Sequence, residues 1–356
     1  MNQLPPTNQR IFHGTLKVAA CQMDVNPAPT PSRLVRAREL AAGAAQAGAQ
    51  LLVLPELFNT GYVYSDENHL RAEPMDGPTI NWMKSTAADC HIHLAGSLML
   101  LDGGEIYNAL LLVAPDGRLW RYDKNYPWGW ERGYFRGGRD ITIAHTELGD
   151  IGMLICWDCA HADLWRRYAG QVDLMVIASC PPDISNPIYE LPDGRRITNS
   201  PKGLLMANMQ DIVRRAFVDN LEMQTAWLGV PVVHAMACGH FRSPVPRGTL
   251  SLLFFLPAAP GLARYLPQAN KAQLACDLPS ECKILDTSGG TLSRLAQEEG
   301  EAYTLAEVTL AEEKPQPKKP PPRPPIPRVA FVIADAALPR LMLPIYRQGL
   351  RRIKKS

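Results

Sequence analysis

Residues 16–23, LKVAACQM, residues 31–47, PSRLVRARELAAGAAQA, and residues 50–55, QLLVLP, decide the fold. The first and third are short apolar runs of the kind that buried strands need. Between them lies a stretch rich in Ala, Leu, Arg and Glu, which reads as a helix stopped by Gly48. Strand, helix, strand in so few residues implies a sheet with helices packed on it, an α/β fold.

Working outward, a helix is expected over 79–89, with strands at 91–99, 107–114 and 119–122. Ala114-Pro-Asp-Gly117 marks a turn between the last two. Strands 142–146 and 151–155, a helix 163–170 and a buried strand 173–179 follow. Residues 181–199 read as a loop and 201–227 as one long amphipathic helix. Strands at 230–235, 282–286, 291–296 and 306–310 close the pattern. Residues 1–14 form a polar N-terminal extension to a domain spanning 15–313. The Pro-rich, locally very apolar stretch at about 240–280 reads as an insertion. Residues 314–328, KPQPKKPPPRPPIPR, hold eight prolines in fifteen and are expected to run as an extended polyproline arm. Residues 329–356 form an apolar, then basic tail.

The chain of 356 residues carries a net charge of +2, which marks no nucleic-acid binder. The charge is uneven, however. From Lys314 onward there are eleven Lys or Arg and one acid, Asp335, or +10, so the rest carries −8. Eight cysteines spread along a long chain suit reduced thiols, not a secreted disulfide scaffold. Residues 1–14 have no signal-peptide core, and a cytoplasmic location is the expectation. The apolar runs at 250–256 and 329–338 are far short of the roughly 20 residues that span a bilayer.

Three short motifs carry chemistry. Leu54-Pro-Glu56 puts a carboxylate at the end of a buried strand, where burial raises its pKa toward neutrality. Tyr122-Asp-Lys124-Asn-Tyr126 puts a lysine after another strand, beside an aromatic loop, where it can face a developing oxyanion. Gly152-Met-Leu-Ile-Cys156-Trp157-Asp158 ends a strand in a thiol. There a helix start is expected to favour the thiolate, and the Trp157 N–H is a second oxyanion donor. Singly, each has an ordinary reading as ion-pair glutamate, surface lysine or structural cysteine. Together, a base, a cation and a thiol at strand ends are what acyl transfer to cysteine requires.

These motifs resemble those of the carbon–nitrogen hydrolase (nitrilase/amidase) superfamily. Leu54-Pro-Glu56 with Thr60-Gly-Tyr62 is similar to its glutamate motif, Lys124 falls at its lysine, and 151–158 is similar to its nucleophile motif. Arg215-Ala-Phe-Val-Asp-Asn220 and Cys282–Gly290 resemble two further elements, and Glu131 falls at its second, substrate-positioning glutamate. The resemblance covers about 15–310, apart from the insertion. It implies a four-layer αββα sandwich and a Glu56–Lys124–Cys156 triad that hydrolyses an amide, carbamoyl compound or nitrile through a thioester, without metal or organic cofactor. It also implies a homo-oligomer. Tyr62, Trp128 and Trp157 are candidate substrate contacts. Asp158 stands where nitrilases tend to have glutamate, which favours an amide or carbamoyl substrate over a nitrile. Ala160-His-Ala-Asp163 and Asn125 also depart from the usual pattern.

Rival readings are a redox or zinc site at Cys156-Trp-Asp-Cys159, which explains neither Glu56 nor Lys124, and a non-catalytic binding member of the fold. For the tail, packing across a partner subunit is preferred to contact with an acidic membrane surface.

Overall fold

The computed structural model describes residues 14–184, 187–198, 211–256, 260–279 and 281–355. The strands are β1 (Thr15–Gln22), β2 (Leu51–Val53), β3 (His93–Asp102), β4 (Glu105–Val113), β5 (Leu119–Asp123), β6 (Ile143–Thr146), β7 (Gly149–Ile155), β8 (Leu174–Ser179), β9 (Ile188–Glu190), β10 (Arg196–Thr198), β11 (Val232–Met236), β12 (His240–Pro244), β13 (Gln273–Asp277), β14 (Lys283–Leu285), β15 (Thr291–Arg294) and β16 (Ala302–Thr309). Two six-stranded sheets form, in the orders β16-β1-β2-β3-β4-β5 and β15-β14-β11-β8-β7-β6. Each has a parallel trio at its centre, β1-β2-β3 and β11-β8-β7, with antiparallel strands outside.

Side-chain alternation explains the layering. In β1, Leu16, Val18 and Ala20 face the second sheet in a core shared with Met153, Ile155, Val176 and Val233. Ala19 and Cys21 point the other way, toward helices α1 (Thr30–Gln46) and α2 (Pro78–Cys90). Helix α1 buries Ala37, Ala41 and Ala44. That stripe, at helical spacing and without bulk, lets the helix lie close to the sheet. Helices α3 (Ala162–Tyr168) and α4 (Asn220–Leu228) cover the outer face of the second sheet through Leu164, Trp165, Tyr168, Leu221 and Leu228. The result is the expected four-layer αββα sandwich.

Several expectations need correction. Residues 181–199 are not all loop, because they supply β9 and β10. These pair with β12 and β13 of the apolar stretch 240–280 as a third, four-stranded sheet in the order β10-β9-β13-β12. Of the long helix expected at 201–227, residues 201–210 lie outside the described residues, and so do 1–13 of the N-terminal extension. From Ile212 to Leu228 the chain is helical with a π-turn at Arg215–Asp219.

The tail differs most. Residues 314–327 have no regular structure and lie along the chain's own surface. Polyproline leaves its carbonyls free, and α4 offers donors: Gln224 Nε2 to Pro322 O and Trp227 Nε1 to Lys319 O, each 2.8 Å. Beyond the arm, Arg328–Ile353 is a single 26-residue helix, α5, long and apolar enough to cross a membrane by length and composition. The apolar run therefore extends past the 329–338 segment. Here α5 buries Ala330, Leu338 and Met342 against the loop that follows β5. Opposite charges join tail and body, with Lys314 on Asp150 and Arg352 on Asp66 at 2.9 Å.

Candidate active site

The first sheet delivers two ionic groups to one end of the sandwich. Glu56 follows β2 and Lys124 follows β5. Both are essentially inaccessible to solvent, and Lys124 Nζ donates to Glu56 Oε1 at 2.8 Å. The same ammonium reaches Glu131 Oε2 at 2.7 Å. Glu131 sits in the single 3-10 turn Gly129–Gly133, where Trp128 N–H donates to its Oε2 at 2.9 Å. Its other oxygen accepts the Tyr62 hydroxyl. One buried cation thus holds two buried carboxylates, the pairing that such burial demands.

Glu56 is held on every side. Its Oε1 also accepts from Asn108 Nδ2 at 2.7 Å, and its Oε2 accepts Cys180 N–H at 2.8 Å. Asn108 is oriented by Ser97, whose hydroxyl donates to Asn108 Oδ1 and accepts Leu57 N–H. Burial pushes the Glu56 carboxyl above its ordinary value, and Glu131 adds to this against the opposing pull of Lys124. Burial acts downward on Lys124, but the charges of Cys156, Glu131 and Glu56 outweigh it and hold the ammonium well above the usual lysine range.

Cys156 comes from the second sheet, one residue past β7. Its φ is +49°, a left-handed conformation that costs a non-glycine residue energy. The turn of Cys156–Ala160 is held by Asp158, which is fully buried and accepts Tyr122 OH at 2.7 Å and Tyr126 N–H at 2.8 Å. Asp158 therefore braces the lysine loop to the nucleophile turn. Asn220 Nδ2 supports it from behind, donating to Cys159 O at 2.7 Å. The expected stabilised thiolate is not what this environment favours. The helix after Cys156 is one 3-10 turn, and burial, joined by the Glu56 charge, pushes the thiol well above its ordinary value, with Lys124 opposing.

A cavity opens on Cys156. Tyr62, Trp128 and Trp157, singled out from the sequence, line it with Glu131. Trp130 lines it too, and so do Tyr64, Cys180 and Phe217, which were not singled out. Asn108, Ser97 and Cys180 are the site residues that sequence reasoning missed. The available signal was a lone Asn inside the apolar strand Glu105–Val113. Cys159 is fully buried and outside the cavity lining. Among the described residues, no group of three or more His, Cys, Asp or Glu side chains is placed to hold a metal.

The arrangement can deprotonate a thiol, hold an oxyanion next to a fixed ammonium and return a proton to a leaving group. Residues 17–193 match the family model for carbon–nitrogen hydrolases. A nitrilase of Pyrococcus abyssi is 30% identical over 148 residues, 40% of this chain and 56% of that protein. An omega-amidase of Xenopus laevis is 30% identical over 168 residues, 44% and 59% of the two chains. The matches thus span little more than half the length of these relatives. Among solved structures, an amidase from Nesterenkonia sp. superposes with a TM-score of 0.60 at 17% identity, over 83% of this chain and 90% of that one. The superfamily protein XC1258 from Xanthomonas campestris gives 0.57 at 19% identity, over 84% and 91%.

Proposed function

We propose that this chain, which belongs to the carbon–nitrogen hydrolase superfamily, hydrolyses a carboxylic amide through a thioester on Cys156. The observation that supports this most is the junction of the two sheets, where the Glu56–Lys124 pair of one lies beside the thiol of the other, and that thiol lines an aromatic cavity.

Glu56 takes the thiol proton as Cys156 Sγ bonds to the carbonyl carbon. The oxygen gains the negative charge, and Lys124 Nζ and the Trp157 N–H hold it. As the tetrahedral adduct collapses, the C–N bond breaks and Glu56 gives its proton to the departing nitrogen. Ammonia or an amine leaves. Water then loses a proton to Glu56 and adds to the thioester, and Cys156 leaves as the thiol when that proton returns. A carboxyl with a raised pKa suits both directions of transfer. Glu131 keeps Lys124 aimed, through its ion pair at 2.7 Å, and Tyr62 fixes Glu131.

Amide is favoured over nitrile by Asp158 in the nucleophile motif, where nitrilases tend to carry glutamate. The test is ammonia release from a panel of amides, N-carbamoyl amino acids and nitriles by the wild type and by Cys156→Ala. Release from amides that is lost in Cys156→Ala supports the reading. Release from nitriles alone replaces it with the nitrilase reading, and release that survives in Cys156→Ala overturns it.

A further inference from the structure

The cavity beside Cys156 has a one-sided chemistry. Its walls are aromatic and aliphatic: Tyr62, Tyr64, Trp128, Trp130 and Phe217, closed by Leu274 from β13. Among the described residues that line it there is no Arg, Lys or His, and Glu131 is the one ionic side chain. Neither oxygen of Glu131 is free. One accepts the Tyr62 hydroxyl, and the other accepts Lys124 and Trp128 N–H. Two of the three donors of Lys124 serve Glu56 and Glu131, and the third is the one left for the oxyanion.

Two of the indole N–H groups on the aromatic walls are engaged away from the cavity. Trp130 Nε1 donates to Ser251 Oγ at 3.2 Å, and Trp157 Nε1 donates to Asp335 at 3.0 Å. The Tyr64 hydroxyl lies 3.4 Å from that of Tyr62. A substrate carboxylate placed here would be buried with no counter-ion among the described lining residues, and close to Glu131. A substrate ammonium would find Glu131 already neutralised. Either burial is costly, whereas apolar groups gain from rings already desolvated.

We infer that the acyl group of the substrate is uncharged and apolar, an aryl-alkyl or branched aliphatic chain on the amide carbonyl. The inference rests on the amide hydrolase reading above and narrows it. Amides of dicarboxylic acids that keep a free carboxylate, and N-carbamoyl amino acids, fall outside the class.

The experiment compares 4-methylpentanamide with succinamate, which share one skeleton with isopropyl exchanged for carboxylate. 3-Phenylpropanamide and 4-aminobutanamide complete the set. Turnover is measured on the full-length wild type, and binding by calorimetry on Cys156→Ala. The neutral amides are expected to exceed both charged ones by at least about 100-fold in kcat/KM and in affinity, from the burial of an unpaired charge. Succinamate or 4-aminobutanamide within about tenfold of 4-methylpentanamide in both readouts overturns the inference and leaves the hydrolase reading standing. Binding of the neutral amides alone, with no turnover of any amide, supports this cavity assignment and removes the hydrolase reading.

Discussion

The indole N–H of Trp157, the residue directly after Cys156, donates to the carboxylate of Asp335 at 3.0 Å across 178 positions of sequence. The other oxygen of Asp335 takes His161 Nε2 at 3.0 Å, and His161 Nδ1 lies 3.0 Å from Trp157 O. The ring of His161 is stacked on Tyr126 at 3.5 Å. Asp335, the one acid of the basic tail, thus fastens α5 to the nucleophile turn. Asp335→Ala is expected to lower kcat by about 10–100-fold through misplacement of that turn, with a smaller change in KM. Asp335→Asn keeps an acceptor for the indole and should recover most of the loss. Steady-state kinetics on the two variants check this, and equal kcat values for Asp335→Ala and the wild type would contradict it.

The tail is docked through small residues. Gly129 has φ +37°, and a Cβ there would fall 2.8 Å from Leu338 Cδ1. A Cβ at Gly349 would overlap the His69 ring. Gly349→Ala should therefore loosen α5, expose the Pro-rich arm to limited proteolysis and lower kcat in the same direction as Asp335→Ala. Digestion at the wild-type rate would show that this contact does not hold the helix.

Lys124 is the sole cation between Glu56 and Glu131. Lys124→Met leaves two buried carboxylates facing each other, a loss of about 3–5 kcal/mol, seen as a lower Tm. The double variant Glu56→Gln/Lys124→Met should recover part of that stability because one uncompensated charge is gone. Activity in Lys124→Met should fall about 100-fold or more. A melting curve unchanged from wild type would show that the ion pairs contribute nothing net.

The acid limb of kcat/KM follows Glu56, which must be ionised to accept the thiol proton. Burial raises its pKa, so activity should rise with pH through a midpoint above the ordinary carboxylate value of about 4. Cys156 is itself held high by burial, so its alkylation by iodoacetamide should track ionisation of Glu56 and slow sharply in Glu56→Gln. A limb at or below the ordinary carboxylate value would place the base elsewhere.

The strands that end at Glu56, Lys124 and Cys156 were legible because each is a compact apolar run stopped by a polar residue, and local pattern records that. The αββα layering came from the family resemblance that those motifs carry, since the local pattern alone said only α/β. What escaped depends on distant partners. Asn108 and Ser97 matter only because β3 and β4 lie antiparallel, with Met99 paired to Asn108 and Ser97 to Leu110. The third sheet joins 188–198 to strands inside the apolar stretch 240–280, and no local period announces such pairing. Helix α5 carries Pro344 in its interior, a residue that disfavours a continuous helix, and 329–356 showed only as an apolar, then basic tail. The thiolate expectation weighed the strand–helix junction without its burial, which pushes the Cys156 thiol up behind a single 3-10 turn.

The most direct test of the central claim is the intact mass of the protein, acid-quenched during turnover of 3-phenylpropanamide and mapped by peptide digestion. The account predicts a transient adduct of the acyl group on Cys156, absent in Cys156→Ala and lost to hydroxylamine as a thioester should be. An acyl adduct on Cys159 or Cys180 with Cys156 unmodified would contradict it, as would ammonia release undiminished in Cys156→Ala.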